Sequence, residues 1–214
     1  QQESQLRATI YKQWMPHVHV DFHEQGYNSP YYFAPAAEPY HEAITDWQRE
    51  FQTTIGENHV SYFDEEGWLY FTKQRFDLFY PSYGDTWPTF NGAIGMTYEQ
   101  AGHSLAGAAV ITEDGDTLTL NDRLTHHTVT GLSTVEVTAE NADRVVSEFE
   151  SHFNSAVENP AGQYKTYVVK GDNDPDKIHD LLTFLENQQI RYRRGGHSER
   201  TEGFNYQTRE TERS

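Results

Sequence analysis

The sequence predicts an α/β fold in which short buried strands alternate with amphipathic helices. Residues 16–23 alternate between polar and apolar side chains, which indicates a half-buried strand. Apolar residues recur at helical spacing between Tyr40 and Ile55, which predicts a helix. The apolar stretch AIGMTYEQAG, at residues 93–102, predicts a second and more deeply buried strand.

The first predicted helix has a start signal and a stop signal. Pro39 suits the first turn of a helix, and Gly56 interrupts the periodic pattern. Residues 60–90 are rich in aromatic residues, glycine and proline, and they predict irregular structure with short strands. The stretch at residues 107–120 predicts a hairpin with Asp114 and Gly115 at its turn.

The next segment is partly ambiguous. Residues 121–138 are β-branched and fit either a helix or a strand, with the pair His126 and His127 expected on a helix surface. Residues 141–153 predict a helix, and residues 158–163 (ENPAGQ) predict a linker.

Beyond the linker, the pattern resembles the start of a second α/β domain. Strands are predicted at residues 166–170 (TYVVK) and 190–194 (IRYRR), on either side of a helix capped by Asp174 with Pro175 at its first position. The final twenty residues predict neither helix nor strand. We therefore expect a first domain over residues 1–157 and a second, truncated one over residues 164–214.

Charge and composition exclude several classes of function. The 214 residues include 16 Lys and Arg against 33 Asp and Glu, giving a formal charge of −17. Such a chain repels phosphate backbones and anionic lipid, so no nucleic-acid partner is expected. The absence of cysteine excludes disulfides, thiolate zinc sites and a cysteine nucleophile. No apolar run reaches the roughly 20 residues of a membrane span.

The stretch HVHVDFHEQG places four metal-binding side chains at alternate positions, namely His17, His19, Asp21 and His23. On a straight strand these side chains stand about 6.5–7 Å apart, whereas the ligands of one zinc ion lie within about 4 Å of each other. The strand therefore supplies one or two ligands at most. A strand with a merely polar face explains the same pattern.

The segments VDFHEQG, YPSYGDTWP and GAIGMTYEQAG follow one another in this order along the chain. Together they resemble the second half of the catalytic domain of zinc carboxypeptidases of the carboxypeptidase A-like superfamily. The stretches YYFAPAAEP and LTLNDRLTHHTVTGLSTVEVTAEN are similar to the large bacterial branch of that superfamily. The resemblance covers about residues 1–155 and implies a mixed sheet flanked by helices.

The resemblance also implies roles for individual residues. His23 matches the third zinc ligand, at a strand end, and Glu99 matches the glutamate that acts as general base. Tyr80 matches the mobile tyrosine that covers the substrate, with Tyr83 as its substitute, and residues 84–90 fall where the family shapes its side-chain pocket.

Two more positions are weaker candidates. Glu24 and Tyr27 follow the predicted ligand closely enough to line a substrate cleft. The resemblance further implies a Zn²⁺ cofactor, a peptide substrate and a location outside the cytoplasm, either periplasmic or secreted.

One motif of the family is missing. No histidine of the chain begins the H-x-x-E pattern that supplies the first two ligands, and no Asn-Arg pair for the substrate carboxylate precedes His17. The chain begins at Gln1 and not at methionine. We therefore expect a fragment of a larger peptidase, inactive alone, with an open sheet edge that favours self-association.

Two other classes of function stay open. An acidic α/β module, or a pseudoenzyme, would bind a peptide or protein through its aromatic loops without catalysis. A metallo-β-lactamase-like hydrolase would need further ligands, for which His59, His103 and His126 are candidates, although HVHVDFH is one residue too long for that family's H-x-H-x-D-H motif.

Overall fold

The computed structural model describes residues 2–103, 105, 107–159, 162, 164, 166–195 and 202–213. Its contacts divide the chain into two compact units. The larger unit is Trp14–Lys165, and the smaller one combines Gln1–Gln13 with Thr166–Ser214. The candidate site lies entirely within the larger unit.

Helices and strands alternate along the described chain. The helices are α1 (Gln2–Trp14), α2 (Asp46–Glu66), α3 (Thr86–Phe90), α4 (Leu120–Glu140), α5 (Ala142–Glu158) and α6 (Pro175–Asn187). The strands are β1 (Val18–Gln25), β2 (Tyr31–Tyr32), β3 (Ala37–Tyr40), β4 (Tyr70–Phe71), β5 (Asp77–Leu78), β6 (Ile94–Ala101), β7 (Ala109–Ile111), β8 (Thr117–Thr119), β9 (Glu202–Asn205) and β10 (Glu210–Arg213).

The main sheet has four strands in the order β1-β6-β2-β4. β1 is parallel to β6, β6 is antiparallel to β2, and β2 is parallel to β4. The predicted α/β class, with a mixed sheet flanked by helices, is therefore confirmed. β3–β5, β7–β8 and β9–β10 form three further two-stranded pairs.

The core lies between the sheet and the helices. Ile94, Met96 and Tyr98 of β6 are almost fully buried and belong to one cluster with Phe51 and Ile55 of α2. Because β6 lies between β1 and β2, seven of its eight residues are buried. The prediction that residues 93–102 contain a deeply buried strand is confirmed.

α2 begins later than the sequence predicted. Its N-cap is Thr45, whose hydroxyl accepts a hydrogen bond from the Gln48 amide at 3.2 Å while the Gln48 side chain accepts one from the Thr45 amide at 3.0 Å. This reciprocal capping satisfies two backbone donors at once. The predicted start at Pro39 is wrong, because Pro39 lies in β3.

α2 also continues past the predicted stop at Gly56. A Cβ atom at Gly56 would lie 2.3 Å from the carbonyl oxygen of Ala34, so glycine serves close packing here and does not end the helix. The helix ends at Gly67, whose φ of 69° is typical of a C-terminal cap. The prediction of irregular structure is therefore wrong for residues 60–66.

α4 resolves the ambiguous segment in favour of a helix. A capping box between Thr119 and Asp122 begins it. The prediction that His126 and His127 lie on a helix surface is wrong, because both rings are half-buried. His126 contacts Gln100 at 2.8 Å, and His127 lies 2.8 Å from the Tyr31 hydroxyl.

The hairpin prediction is confirmed. β7 and β8 pair antiparallel, and Gly115 takes a φ of 91° at the turn. The helix predicted over residues 141–153 is α5, which continues to Glu158.

The smaller unit contains a helix, α6, and a two-stranded hairpin, β9–β10. α6 is capped by Asp174, whose carboxylate accepts from the Asp176 amide at 2.9 Å, as predicted. The strands predicted at residues 166–170 and 190–194 are wrong, since neither segment pairs with a strand within the described residues. β9 and β10 instead form a hairpin where no strand was predicted.

β1 is an edge strand of the main sheet. The carbonyl oxygens of His17 and Gln25 accept hydrogen bonds from the amides of Ile94 and Gly102, so odd-numbered residues direct their backbone groups to β6. In a parallel pair the even-numbered residues then face the free edge. Within the described ranges, those outward groups have no backbone partner.

Among the helices that the structure describes, none combines the length and apolar character needed to cross a membrane.

Candidate functional site

The two faces of the β1–β6 pair have different chemistry. Side chains alternate along each strand, and the register sets His19 beside Gly95, Asp21 beside Thr97 and His23 beside Glu99. The opposite face is mainly apolar, with Glu24 and Gln100 at its end. Phe22, for example, contacts the rings of Tyr98 and His127. One face therefore belongs to the core, and the other presents polar groups.

His23 and Glu99 contact each other directly. The Nδ1 atom of His23 lies 3.2 and 3.3 Å from the two carboxylate oxygens of Glu99. The His23 side chain is 60% exposed, whereas that of Glu99 is 7% exposed. The pair thus consists of an accessible imidazole held against a buried carboxylate.

Burial and the charge of His23 shift the pKa of Glu99 in opposite directions. Burial raises the pKa of the Glu99 carboxyl, and the charge and hydrogen bond of His23 act against that rise. The nearby carboxylates of Asp21 and Asp85 raise the pKa further. The pKa of Glu99 is raised overall, as is common for a proton-transfer group.

Asp85 lies at the base of this polar face. It immediately precedes α3, is 6% exposed, and accepts hydrogen bonds from Thr97 at 2.9 Å and Thr86 at 3.1 Å. Burial raises the pKa of Asp85. The approach of α3 to the sheet requires Gly95, because a Cβ there would lie 1.9 Å from the Asp85 carbonyl oxygen.

Asp21 approaches the backbone at Gly84. A Cβ at Gly84 would lie 2.2 Å from an Asp21 carboxylate oxygen, so a larger residue there would displace the Asp21 side chain. Asp21 is half-buried. Its negative charge acts on both His19 and Glu99.

These side chains line one cavity of about 250 Å³. The lining consists of Asp21, His23, Arg75, Phe76, Asp77, Tyr83, Gly84, Asp85, Thr97 and Glu99. Three sequence segments therefore meet there: β1, β6, and the region between residues 75 and 85.

The structure brings together only some of the residues selected from the sequence. His23, Glu99 and Tyr83 line the cavity. Tyr80 does not, although its exposed ring lies 5.5 Å from the ring of Tyr83, between centroids.

The two weaker candidates lie elsewhere. Glu24 is on the opposite face of β1, where its carboxylate is 3.8 Å from Arg123. Tyr27 lies in the turn after β1 and does not line the cavity.

Thr97 and Arg75 are cavity residues that the sequence analysis did not select, and Asp85 was included only through the predicted pocket range 84–90. Asp85 precedes a helix of five residues, which is too short for periodicity to reveal. The sequence feature that could have indicated Asp85 is the dipeptide Gly84-Asp85, which lies in the segment that the resemblance assigns to the side-chain pocket.

The histidines proposed for a dinuclear site do not approach this cavity. His59 is fully buried on α2, with Nδ1 2.7 Å from Ser133 and Nε2 2.9 Å from the Tyr98 hydroxyl. Both of its nitrogens are therefore occupied on the core face. Among the described residues, no group of three or more His, Asp or Glu side chains is arranged to hold a metal ion.

Comparisons with protein-family models, with curated proteins and with solved structures find no match to this chain.

Proposed function

We propose that this chain is the C-terminal part of the catalytic domain of a zinc-dependent, carboxypeptidase-like peptidase. His23 is the proposed zinc ligand and Glu99 the proposed general base. The observation that carries the proposal is the pairing of these side chains, 76 residues apart in sequence, at 3.2 Å in one cavity. A general base must lie within reach of the proton that it abstracts, and the position of Glu99 beside the proposed ligand in a cleft supports that role.

The residues present fit part of a zinc centre. His23 offers an exposed imidazole, and a neutral imidazole is a common zinc ligand. The described residues supply no complete ligand set. The remaining ligands are proposed to come from a polypeptide segment that precedes Gln1. Bound zinc would lower the pKa of a water molecule to about 7.

Glu99 is suited to move the proton in this reaction. It would accept a proton from the attacking water and later deliver it to the leaving amine. Burial raises the pKa of the Glu99 carboxyl, and the charge and hydrogen bond of His23 act against that rise. Tyr83, at the cavity wall, is the better placed of the two tyrosines to contact a bound peptide.

A peptide-binding module without catalysis is the second candidate. Phe79, Tyr80 and Tyr83 are each about half exposed. Tyr83 lines the cavity, and the ring of Tyr80 lies beside that of Tyr83. Exposed aromatic side chains are enriched at surfaces that bind peptides and proteins. This candidate predicts the same cavity, but no metal.

The open edge of β1 is relevant to how this chain associates with other polypeptides. Eight residues of unpaired edge favour association with another strand, so self-association through β1 is part of the proposal. A location outside the cytoplasm also belongs to the proposal and rests on the resemblance.

Zinc binding tests the proposed function. The chain alone is expected to hold no zinc through dialysis against a weak chelator, because one imidazole is too few ligands. A version extended upstream to include an H-x-x-E motif is expected to hold one zinc per chain and to cleave peptides. Glu99→Gln should retain the zinc and lose hydrolysis by at least 100-fold. Hydrolysis that persists in Glu99→Gln would contradict the assignment of the base.

A further inference from the structure

α4 contacts the sheet through polar side chains. Among the described residues of α4, the buried ones are Arg123, Thr130, Ser133, Thr134 and Val137, of which the last alone is apolar. Three of its leucine and valine side chains face solvent instead, since Leu124, Leu132 and Val135 are 59%, 66% and 65% exposed. A surface helix normally buries its apolar face. The contact between α4 and the sheet therefore depends on specific hydrogen bonds.

His126 of α4 contacts the residue that follows Glu99 in β6. Its Nδ1 atom lies 2.8 Å from the side-chain oxygen of Gln100, which is 2% exposed. An amide oxygen can only accept, so the His126 ring donates this hydrogen bond. The side-chain nitrogen of Gln100 donates to the Ala101 carbonyl at 3.1 Å. Removal of the His126 ring would leave the Gln100 oxygen as a buried acceptor without its donor.

His127 contacts β1 and β2, which lie on either side of β6. Its ring meets the ring of Phe22 edge-on, with 5.1 Å between centroids, and Phe22 precedes His23 in β1. Its Nδ1 atom lies 2.8 Å from the Tyr31 hydroxyl, which is itself 2.9 Å from the Thr130 hydroxyl. Tyr31 begins β2 and is 2% exposed. A satisfied buried network of this kind holds its members in one arrangement.

The sheet itself supplies few bonds at these strand ends. β1 pairs with β6 alone among the described strands, and β6 meets β2 through one described residue pair, Glu99 and Tyr32. His23 is 60% exposed, and its contact with Glu99 requires both strand ends to keep one register. Strand alternation directs Phe22 and Gln100 away from the cavity. α4 therefore holds the two strands from the face opposite the candidate site.

We propose that His126 and His127 are positioning residues, which hold the ends of β1 and β6 in the register that brings His23 and Glu99 together. The role of that pair rests on the proposed function, but the positioning itself needs neither zinc nor substrate. Loss of either positioning histidine should free one end of the β1–β6 ladder and leave the opposite end paired.

Amide hydrogen exchange of the metal-free chain tests the proposal at both ends of this ladder. The Gly102 amide bonds to β1 at the end that carries His23, and the Ile94 amide bonds to β1 at the other end. His126→Ala and His127→Ala should each raise the ratio of the Gly102 exchange rate to the Ile94 exchange rate by about five-fold or more. A loss of global stability alone does not raise this ratio, because global unfolding exposes both amides.

The side chain of His23 supplies a second readout. Three-bond couplings from its Cγ atom to the backbone nitrogen and carbonyl carbon report how fully one χ1 rotamer is populated. We expect one dominant rotamer in the unchanged chain, held by the contact with Glu99, and couplings averaged over several rotamers in both alanine variants. A histidine that only stabilises the fold would leave these couplings unchanged.

Conservative variants and a matched control make the test specific. His126→Asn keeps an N–H group close to the Nδ1 position and should return the ratio to within about two-fold of the unchanged chain. Ser133→Ala removes a different buried hydrogen bond of α4, the 2.7 Å contact with His59, and should change neither the ratio nor the couplings. If His127→Ala folds poorly, His127→Phe keeps the ring packing, removes only the bond to Tyr31, and should still raise the ratio by about three-fold.

The outcomes separate this proposal from the proposed function. Unchanged couplings in both alanine variants would overturn the positioning role whatever the ratio, and so would a ratio that rises equally in Ser133→Ala. That result would leave the pairing of His23 and Glu99 as the proposed catalytic arrangement. A failure of zinc binding would instead leave His126 and His127 supporting a pair of side chains that is not part of a zinc site.

Discussion

His23 and Glu99 occupy paired positions on neighbouring parallel strands, and the imidazole Nδ1 lies 3.2 Å from a carboxylate oxygen. Parallel strands with the same register direct their side chains to the same face, so two residues near the carboxyl ends of β1 and β6 meet there. The carboxyl ends of parallel strands are where α/β folds commonly bind ligands. The relationship therefore links the sheet topology to the candidate site.

The pKa of Glu99 should respond oppositely to two neighbouring substitutions. His23→Ala removes the charge and hydrogen bond that lower this pKa, so the pKa should rise. Asp21→Asn removes a negative charge that raises it, so the pKa should fall. An NMR titration of the glutamate side-chain carboxyl carbons measures both shifts. Glu24→Gln serves as the control, and shifts of equal sign in the first two variants would contradict the described geometry.

His59 should make the fold sensitive to acid. Burial lowers the pKa of His59 from 6.5 to about 3, so the folded state holds a neutral ring that protonates in the unfolded chain. The neutral His59 ring makes its full contribution to the free energy of unfolding above pH 6.5, and this contribution is lost as the pH falls toward 3. Because each unit of pKa corresponds to about 1.4 kcal/mol, the full loss amounts to about 5 kcal/mol.

Urea unfolding between pH 7.5 and pH 4 measures the part of this loss that falls above pH 4, which amounts to about 3.5 kcal/mol. His59→Gln should be less stable at pH 7.5 by about 1–3 kcal/mol, because the hydrogen bonds to Ser133 and Tyr98 are altered. Its stability should also decline less steeply below pH 6.5. Parallel curves for the two proteins would show that His59 does not carry the pH dependence.

Gly95 should tolerate no side chain. A Cβ at this position would lie 1.9 Å from the Asp85 carbonyl oxygen and 2.4 Å from the Thr89 hydroxyl, so α3 must move away from the sheet. The variant Gly95→Ala should therefore lose about 3 kcal/mol of folding stability through overpacking. Gly26→Ala is the matched control, because nothing lies within 4 Å of its added Cβ. Similar thermal stabilities of the two variants would contradict the close approach.

The edge of β1 should be visible in amide hydrogen exchange. The amides of Val20, Phe22 and Glu24 face the free edge and should exchange rapidly, whereas those of Asp21 and His23 bond to β6 and should be protected. The pattern should alternate with every residue in dilute protein. Protection of the even-numbered amides that grows with protein concentration would indicate strand pairing between two copies.

The strands and most helices follow from local sequence pattern. β1 and β6 were predictable because period-two alternation and an apolar run survive in the linear sequence. The stop predicted at Gly56 failed, because the reason for that glycine is the backbone of Ala34, twenty-two positions away. The predicted strands at residues 166–170 and 190–194 failed because a strand needs a partner, which local pattern does not reveal.

The candidate site was predictable only in part. His23 and Glu99 were selected by resemblance, but their contact depends on a register between segments 76 residues apart. Asp85 lies within the predicted pocket range 84–90 but was not selected individually, because a five-residue helix and a neighbouring glycine carry no periodic signal. Glu24 was placed near the cleft by its distance in sequence, although strand alternation turns it toward Arg123.

The most direct test of the central claim is the zinc content of two polypeptides by elemental analysis: this chain, and a version extended upstream to supply an H-x-x-E motif. The account predicts no retained zinc in the first and one zinc per chain in the second, lost on His23→Ala and kept on Glu99→Gln. Tightly held zinc in the short chain would contradict the account, as would an extended chain whose zinc survives His23→Ala.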